Sequence, residues 1–277
     1  MQTEVTYCRW SPTLGELEDT AEKIWGTPAY ENDRDAPVVF FGLYGLPDFY
    51  TLWRHRGKRY ILWAGSDITN FVNGYWLEEG GKIALNPRPL ARWINKYCES
   101  WCENVVEQKA LQIAGIYANV CPSFLGDVKA YKMSFVPNNT PKLYTSVSGN
   151  NFELYGWHRI PELAKKNPDI EFHLYGNTIK PPYKFTDNVI LHGRMPKEQM
   201  NVEIERMQGA LRLTSFDGFS EILAKSILWG QWPVSLIKYP HMLLPTELGY
   251  FREKREPNKA GRDYYIQNIN KYPWNRK

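Results

Sequence analysis

The sequence predicts two doubly wound α/β domains, each built on a parallel sheet, over about residues 1–138 and 139–277. Three observations carry this. Short apolar runs alternate with helical patterns along the chain, the layout of successive β-α-β units. The alternation pauses at Pro137-Asn138-Asn139-Thr140-Pro141, where turn formers and two prolines separate apolar segments. In the second half, three apolar strands each give way to glycine and then to a hydrogen-bonding residue. A length of 277 residues suits two domains at roughly 100–200 residues each.

Taken in order, Leu14–Trp25 has the pattern of a helix, and Pro37–Tyr44 (PVVFFGLY) reads as a strand. Pro47–Arg56 suits a second helix, and Arg59–Gly65 (RYILWAG) a second strand bounded by glycine. Arg88–Gly115 is the longest helical stretch, with a break near Cys102–Asn104 and Gly115 as its C-cap. Tyr117–Pro122 and Met133–Val136 are short apolar pieces ahead of the linker. The alternation then restarts. Leu143–Ser148, Ile170–Tyr175, Asn188–His192, Gly209–Thr214 and Pro233–Ile237 read as strands. Phe152–Lys166, Pro196–Met207 and Ser220–Trp229 read as the helices between them.

Composition excludes several classes. The chain is 43% hydrophobic and 23% charged, which fits a folded globular protein and neither a disordered nor a collagen-like one. No apolar run reaches the roughly 18–20 residues of a membrane span. Met1–Trp10 lacks the basic-then-apolar layout of a signal peptide, so a cytoplasmic protein is expected. The net charge of +4 is concentrated in the segment Arg252–Lys277, while the rest is close to neutral. That basic tail is either a solvated end or a contact for an anionic surface such as a membrane. No specific nucleic-acid motif is present. Cys98 and Cys102 stand at i,i+4, one face of a helix, but no second pair completes a metal site, and buried free thiols are the expectation. The five histidines have no metal-type spacing.

In an open parallel sheet the carboxyl ends of the strands line the ligand crevice. Gly149 with Asn150, Gly176 with Asn177, and Gly193 with Arg194 fall at such ends. Each is open to a plain turn role, and equally to close approach of a ligand to the backbone. The richest segment is Leu211–Val234. Its strand leads through Ser215-Phe216-Asp217-Gly218-Phe219 into a helix near Ser220. Asp217 and Ser220 can cap that helix. The same free N–H groups can hold a phosphate or a sugar edge, with Gly218 permitting approach and Asp217 accepting sugar hydroxyls. In the first half, Gly45 and Asp67 sit where strands end. Asp67 either caps the next turn or faces a substrate. Trp53, Trp63 and Tyr44 are open to ring stacking on a sugar or to core packing.

Asp217-Gly218-Phe219-Ser220, a helix, Gly230 and Pro233-Val234 together resemble the donor-sugar motif of GT-B glycosyltransferases. The likeness is to the retaining group called family four. Asn188-Val189-Ile190-Leu191-His192-Gly193-Arg194 is similar to that family's Asn-Val strand, and Leu143–Gly149 and Phe172–Gly176 follow its order. The likeness covers about residues 142–235, more weakly 38–137. It implies two Rossmann-like domains facing across a cleft, an acceptor-side domain and a nucleotide-sugar-binding one. The tail would pack back on the first domain. The implied activity moves a sugar from a UDP- or GDP-linked donor to a hydroxyl of a glycan, lipid, protein or modified nucleic acid. It would retain configuration and use no metal and no permanently bound cofactor.

Under this resemblance Asp217 and the backbone of Gly218, Phe219 and Ser220 bind the donor sugar. Gly149, Asn150, Gly176 and Gly193 line the nucleotide, and Arg194 or Arg212 meets the diphosphate. Gly45 and Asp67 stand on the acceptor side. The chain departs from the family at four points. It has no clear counterpart of the N-terminal Gly-rich loop, since Trp10-Ser11-Pro12 follows the first expected strand, and its Gly230-Gln231-Trp232-Pro233 spacing is one residue longer than usual. Lys225 stands where a ribose-holding glutamate is usual. Asn150, Asn151 and Tyr155-Gly156 stand where an arginine–lysine pair is usual. A catalytically silent sugar- or nucleotide-binding protein and a sugar-nucleotide epimerase of the same fold are the alternatives these departures keep open.

Overall fold

The computed structural model describes residues 6–15, 18–78, 80–253 and 256–277. The expected first helix crosses residues 16 and 17, and the basic tail includes Lys254 and Arg255. Those positions lie outside the described residues. By contacts the chain divides into two compact units. The first takes the chain up to Gly126, with Phe216–Phe219 and Asn268–Lys277. The second takes Asp127–Ser215 and Ser220–Gln267.

The first unit runs β1 (Tyr7–Trp10), α1 (Glu18–Trp25), β2 (Val38–Phe41), α2 (Leu46–Arg54), β3 (Arg59–Leu62) and α3 (Ser66–Val72). It continues β4 (Tyr75–Glu78), β5 (Gly81–Ala84), α4 (Pro87–Tyr97), β6 (Cys98–Cys102), α5 (Val105–Ile113) and β7 (Ala118–Val120). Its sheet has the order β1-β2-β3-β6-β7, with every pair parallel. The run Val38-Val39-Phe40-Phe41 shows why an unbroken apolar strand suits a sheet covered on both faces. Val38 and Phe40 pack with Ile61, Trp63 and Ile94 on one side. Val39 and Phe41 pack with Trp10, Trp25 and Leu62 on the other. The second face is closed by the last residues of the chain. Trp274 and Tyr272 stack at 4.5 Å, buried among Trp25, Tyr60 and Trp101. Asn270 ties them down, donating from its backbone to Pro122 O (2.9 Å) and from Nδ2 to Phe124 O (2.7 Å).

The second unit runs β8 (Lys142–Ser146), α6 (Ile160–Lys166), β9 (Glu171–Tyr175), β10 (Val189–Gly193) and α7 (Lys197–Ile204). Then come β11 (Gly209–Arg212), α8 (Glu221–Leu228), β12 (Val234–Ser235), α9 (Tyr250–Glu253) and α10 (Lys259–Asn268). The sheet order is β10-β9-β8-β11-β12, again parallel throughout. From β8 the chain winds outward through β9 to β10, then returns to the other side through β11 to β12. The order reverses between β8 and β11.

Some expected elements differ. Arg88–Gly115 is not one broken helix: Cys98–Cys102 is a strand inside it, paired with β3 and β7. Tertiary pairing overrides a helical reading that fits the same apolar spacing. Cys98 and Cys102 therefore lie about 13 Å apart along an extended strand, at ~3.3 Å per residue, and are not neighbours on a helix. Neither is in a disulfide, nor are Cys8 and Cys121. Phe152–Lys166 is α-helical only from Ile160, after a 3-10 turn at Trp157–Arg159. Gly156 is left-handed (φ 77°), and a Cβ there would lie 2.2 Å from the Leu213 carbonyl, so the chain turns at that point. Pro161, lacking an N–H, suits the first helical turn. Met133–Val136 forms no strand, and the β4–β5 hairpin, mostly exposed, has no apolar pattern to announce it. No helix among the described residues is long and apolar enough to cross a membrane.

Candidate functional site

The reversal of strand order between β8 and β11 is a topological switch point. There neighbouring crossovers leave to opposite faces and open a crevice beyond the strand ends. Gly149 and Asn150 follow β8, and Arg212 ends β11. Gly176 follows β9, and Gly193 ends β10. All three glycines are left-handed, at φ 61°, 94° and 72° respectively, a region costly to residues bearing a Cβ. Asn150 is left-handed as well (φ 57°). The strand ends are laced together. Val147 N donates to Tyr175 O (3.0 Å) and Gly176 N to Gly193 O (2.7 Å). Asn150 accepts from Thr178 N at 2.8 Å and donates to Thr178 Oγ1 at 2.7 Å. A Cβ on Gly176 would come within 2.2 Å of Val147 O. The glycines thus make a rigid backbone edge of adjoining strands.

The two candidate arginines fall apart. β10 and β11 are separated by β9 and β8, so about 14 Å of sheet lies between them at ~4.8 Å per strand. Arg194 is exposed beside the edge strand β10. Arg212 is 9% exposed and lays its guanidinium over the Tyr155 ring at 4.2 Å from the centroid. Tyr155 occupies one of the positions where the resembled family carries its basic pair. A cation is thus delivered to that region from β11.

Helix α8 leaves the loop with Ser220 at its N-cap, and the Ser220 side chain makes no capping bond. The helix is buried from Ile222 to Leu228, which includes Lys225. The Lys225 ammonium meets Glu221 Oε1 at 2.9 Å, one turn earlier, and donates to Asn201 Oδ1 at 2.9 Å. Burial pulls its pKa below the ordinary lysine value, with Glu221 working against that. Glu221 also pairs with Lys197 at 2.8 Å. Lys225 is therefore neither at the surface nor without a counter-charge.

In the first unit, Asp67 is fully buried. It accepts the amides of Leu43 (2.9 Å), Ala64 (2.9 Å) and Ile68 (2.8 Å). Burial pushes its pKa up to about 6 against those three bonds. These contacts join the ends of β2 and β3, as a capping role would. Gly45 is the N-cap of α2 and donates to Asp48 Oδ2 (3.2 Å). Asp48 also accepts from Ser11 Oγ (2.8 Å) and Tyr44 N (2.9 Å), and forms an ion pair with Arg9. Trp63 and Tyr44 are core residues, whereas Trp53 is exposed.

Sequence reading missed the residues that receive the Asp217 loop. Phe216–Phe219 belong by their contacts to the first unit. Glu103 Oε2 accepts the Phe219 amide at 2.7 Å, and Asn104 Nδ2 donates to Asp217 O at 2.7 Å. Glu103 and Asn104 follow β6 at the carboxyl edge of that sheet, and Asn104 is the N-cap of α5. The break expected near Cys102–Asn104 was the one signal of them. Among the described residues no cluster of His, Cys, Asp and Glu could hold a metal ion. His173 and His192 do meet, Nδ1 to Nε2 at 2.8 Å, beside Glu171 and Glu203.

No family model and no curated protein sequence matches the chain. Solved structures do. Anabaena HepE, solved with UDP and glucose, matches over 97% of this chain and 96% of its own at 11% identity, with a TM-score of 0.56. Sucrose-phosphate synthase from Thermosynechococcus elongatus matches over 93% and 73% at 11% identity, TM-score 0.56. An S. aureus TarM mutant solved with fondaparinux, alpha-GlcNAc-glycerol and UDP matches over 85% and 53% at 12% identity, TM-score 0.51. The chain spans about half the length of several such structures. At these identities the likeness is one of fold: the parallel-sheet α/β units match those of GT-B-fold structures.

Proposed function

We propose that this protein is a glycosyltransferase that transfers a sugar from a nucleoside diphosphate donor, UDP- or GDP-linked, to a hydroxyl of a glycan acceptor. The observation that carries the reading is the switch point of the second sheet. Three adjoining strands end there in left-handed glycines, with Arg212 on the neighbouring strand. Such an edge offers backbone groups to a ribose and a diphosphate, and a cation to the charge that grows on the leaving diphosphate. HepE, of the same fold and nearly the same length, is solved with UDP and glucose. Retention of configuration and metal independence belong to the reading through the family resemblance. Asp217 would accept donor-sugar hydroxyls, and Gly218 would let the sugar approach the backbone. Arg212, rather than Arg194, is the diphosphate partner, because it lies beside β8 and is stacked in place on Tyr155. The carboxylate that usually holds the ribose is replaced by Lys225 in its pair with Glu221, so Asn150 and the glycine edge hold the nucleotide.

Calorimetric titration with UDP and GDP, followed by a transfer assay over a panel of nucleotide sugars, tests the reading. Binding of one nucleotide and turnover of its sugar are expected. Arg212→Ala should weaken nucleotide binding by about 10–100-fold, the worth of a charge-assisted bond of ~1.5–3 kcal/mol. Arg194→Ala should change it less than about threefold. Asp217→Ala should lower kcat/KM at least about 100-fold, on the order of 2.7 kcal/mol. A protein that binds neither nucleotide, or binds one without turnover of any sugar, would refute the assignment as a transferase.

A further inference from the structure

We infer that Glu103 is a positioning residue for the donor loop, holding Asp217-Gly218-Phe219 by its backbone in the geometry that reads the sugar. The inference rests on the proposed function for its consequence and on geometry for the clamp itself. Two bonds grip the loop from consecutive residues: Phe219 N to Glu103 Oε2, and Asn104 Nδ2 to Asp217 O, each at 2.7 Å. Gly218 lies between them. A Cβ there would sit 2.0 Å from Glu103 Oε2, so with any other residue at 218 the carboxyl group or the loop must shift. Phe216 packs on the apolar core of the same unit.

The grip sits among buried carboxyl groups. Glu103 bonds through both oxygens, accepting from Phe219 N on one and meeting Ser123 Oγ on the other. Glu107, on α5, is fully buried. Its Oε2 accepts the Glu103 amide at 2.8 Å, and its Oε1 has no partner. That oxygen points between two glycines, 3.7 Å from where a Cβ of Gly65 would be and 3.9 Å from that of Gly218. Burial first, then the Glu103 charge, raises the Glu107 pKa well above the ordinary range. Burial also raises Glu103, with Asp217 and Asp67 adding to it and the Phe219 amide opposing. Tyr44, Cys102, Cys121 and Tyr272 also face the pair, and burial raises each of them, so they stay neutral. A buried carboxyl is a costly way to fill space, and an apolar residue would do so at lower cost. Its distinctive property is an acceptor oxygen held against one loop amide.

Glu103→Ala and Glu103→Gln decide it. Glutamine keeps an oxygen for the Phe219 amide but no charge. Amide hydrogen exchange at Gly218–Phe219 should speed up at least tenfold in Glu103→Ala and stay within threefold of the parent in Glu103→Gln. With a nucleotide-sugar donor, Glu103→Ala should lose at least 100-fold in kcat with donor KM and UDP or GDP affinity within threefold. Glu103→Gln should recover to within tenfold. Unchanged exchange in Glu103→Ala would overturn the clamp, whether or not the protein binds nucleotide. Faster exchange with unchanged kcat, or a loss of nucleotide affinity matching the loss of kcat, would overturn its positioning role. A parent with no nucleotide affinity but the expected exchange pattern would overturn the proposed function and that role together, and leave only the clamp standing.

Discussion

At the scale of single residues, the buried carboxyls of the first unit show how environment assigns different states to like groups. Asp67 is pushed up to about 6 by burial, and the three backbone amides it accepts hold that rise back. Glu107 has one amide and one oxygen without a partner, so the neutral acid is the cheaper form. The consequence for stability has a definite sign. A pKa raised on folding means that the folded protein holds the proton over a range where the unfolded chain, at about 4.3, has lost it. Stability from this group is complete below about pH 4.3 and falls as pH rises toward the folded value. Glu107→Gln removes that dependence. Chemical denaturation at a series of pH values should show the glutamine variant gaining on the parent above about pH 5, by up to ~1.4 kcal/mol per pH unit. Parallel stability curves would mean that Glu107 is ionised in the folded protein.

At the scale of elements, the strand ends of the second sheet depend on backbone shapes that only glycine adopts cheaply. The cost of a methyl group should differ along the edge. Gly176 is left-handed, and its Cβ would meet Val147 O at 2.2 Å, so Gly176→Ala should cost about 2–4 kcal/mol. Gly193 is also left-handed, but the nearest atom would be 3.7 Å away, so Gly193→Ala should cost only the conformational ~1–2 kcal/mol. Thermal unfolding of the two variants gives the order directly, and equal costs would show that the close approach at Gly176 is relieved by a backbone shift. Helix α8 carries a similar constraint in charge. A glutamate at 225 would face Glu221 in a buried setting, so restoring the family residue would now break an ion pair and add a like charge.

At the scale of the whole molecule, the chain crosses between its units more often than a single linker implies. Phe216–Phe219 and Asn268–Lys277 are counted with the first unit, although the chain on their N-terminal side belongs to the second. The last segment completes the apolar face under β1, β2 and β3, where Trp274 is 1% exposed. Trp274→Ala should therefore destabilise the first unit by about 3–5 kcal/mol. Hydrogen exchange should rise at the amides of β1–β3, with less effect at β8–β11. Equal loss of protection in both sheets would contradict the assignment of this segment to one unit.

Much of the architecture was legible because it rests on period and punctuation. Val38–Phe41, Leu143–Ser146, Glu171–Tyr175 and Gly209–Arg212 are strands because short apolar runs bounded by turn residues satisfy both faces of a covered sheet. The glycines at 149, 176 and 193 stood out for the same local reason: each must turn left-handed where a strand ends. What the sequence determined by itself was therefore the alternation, the positions of the strand ends and the loop that carries Asp217. Only the tertiary structure decided the rest. Cys98–Cys102 became a strand because β3 and β7 offer it partners, an interaction between segments far apart in sequence. Arg212 was separated from Arg194 by strand order, which no local pattern encodes. Lys225 was committed to Glu221 and Asn201, and Glu103 to the Phe219 amide, by burial. A charge removed from water must take whichever partner the fold brings within reach, and that partner is settled by packing rather than by sequence neighbours.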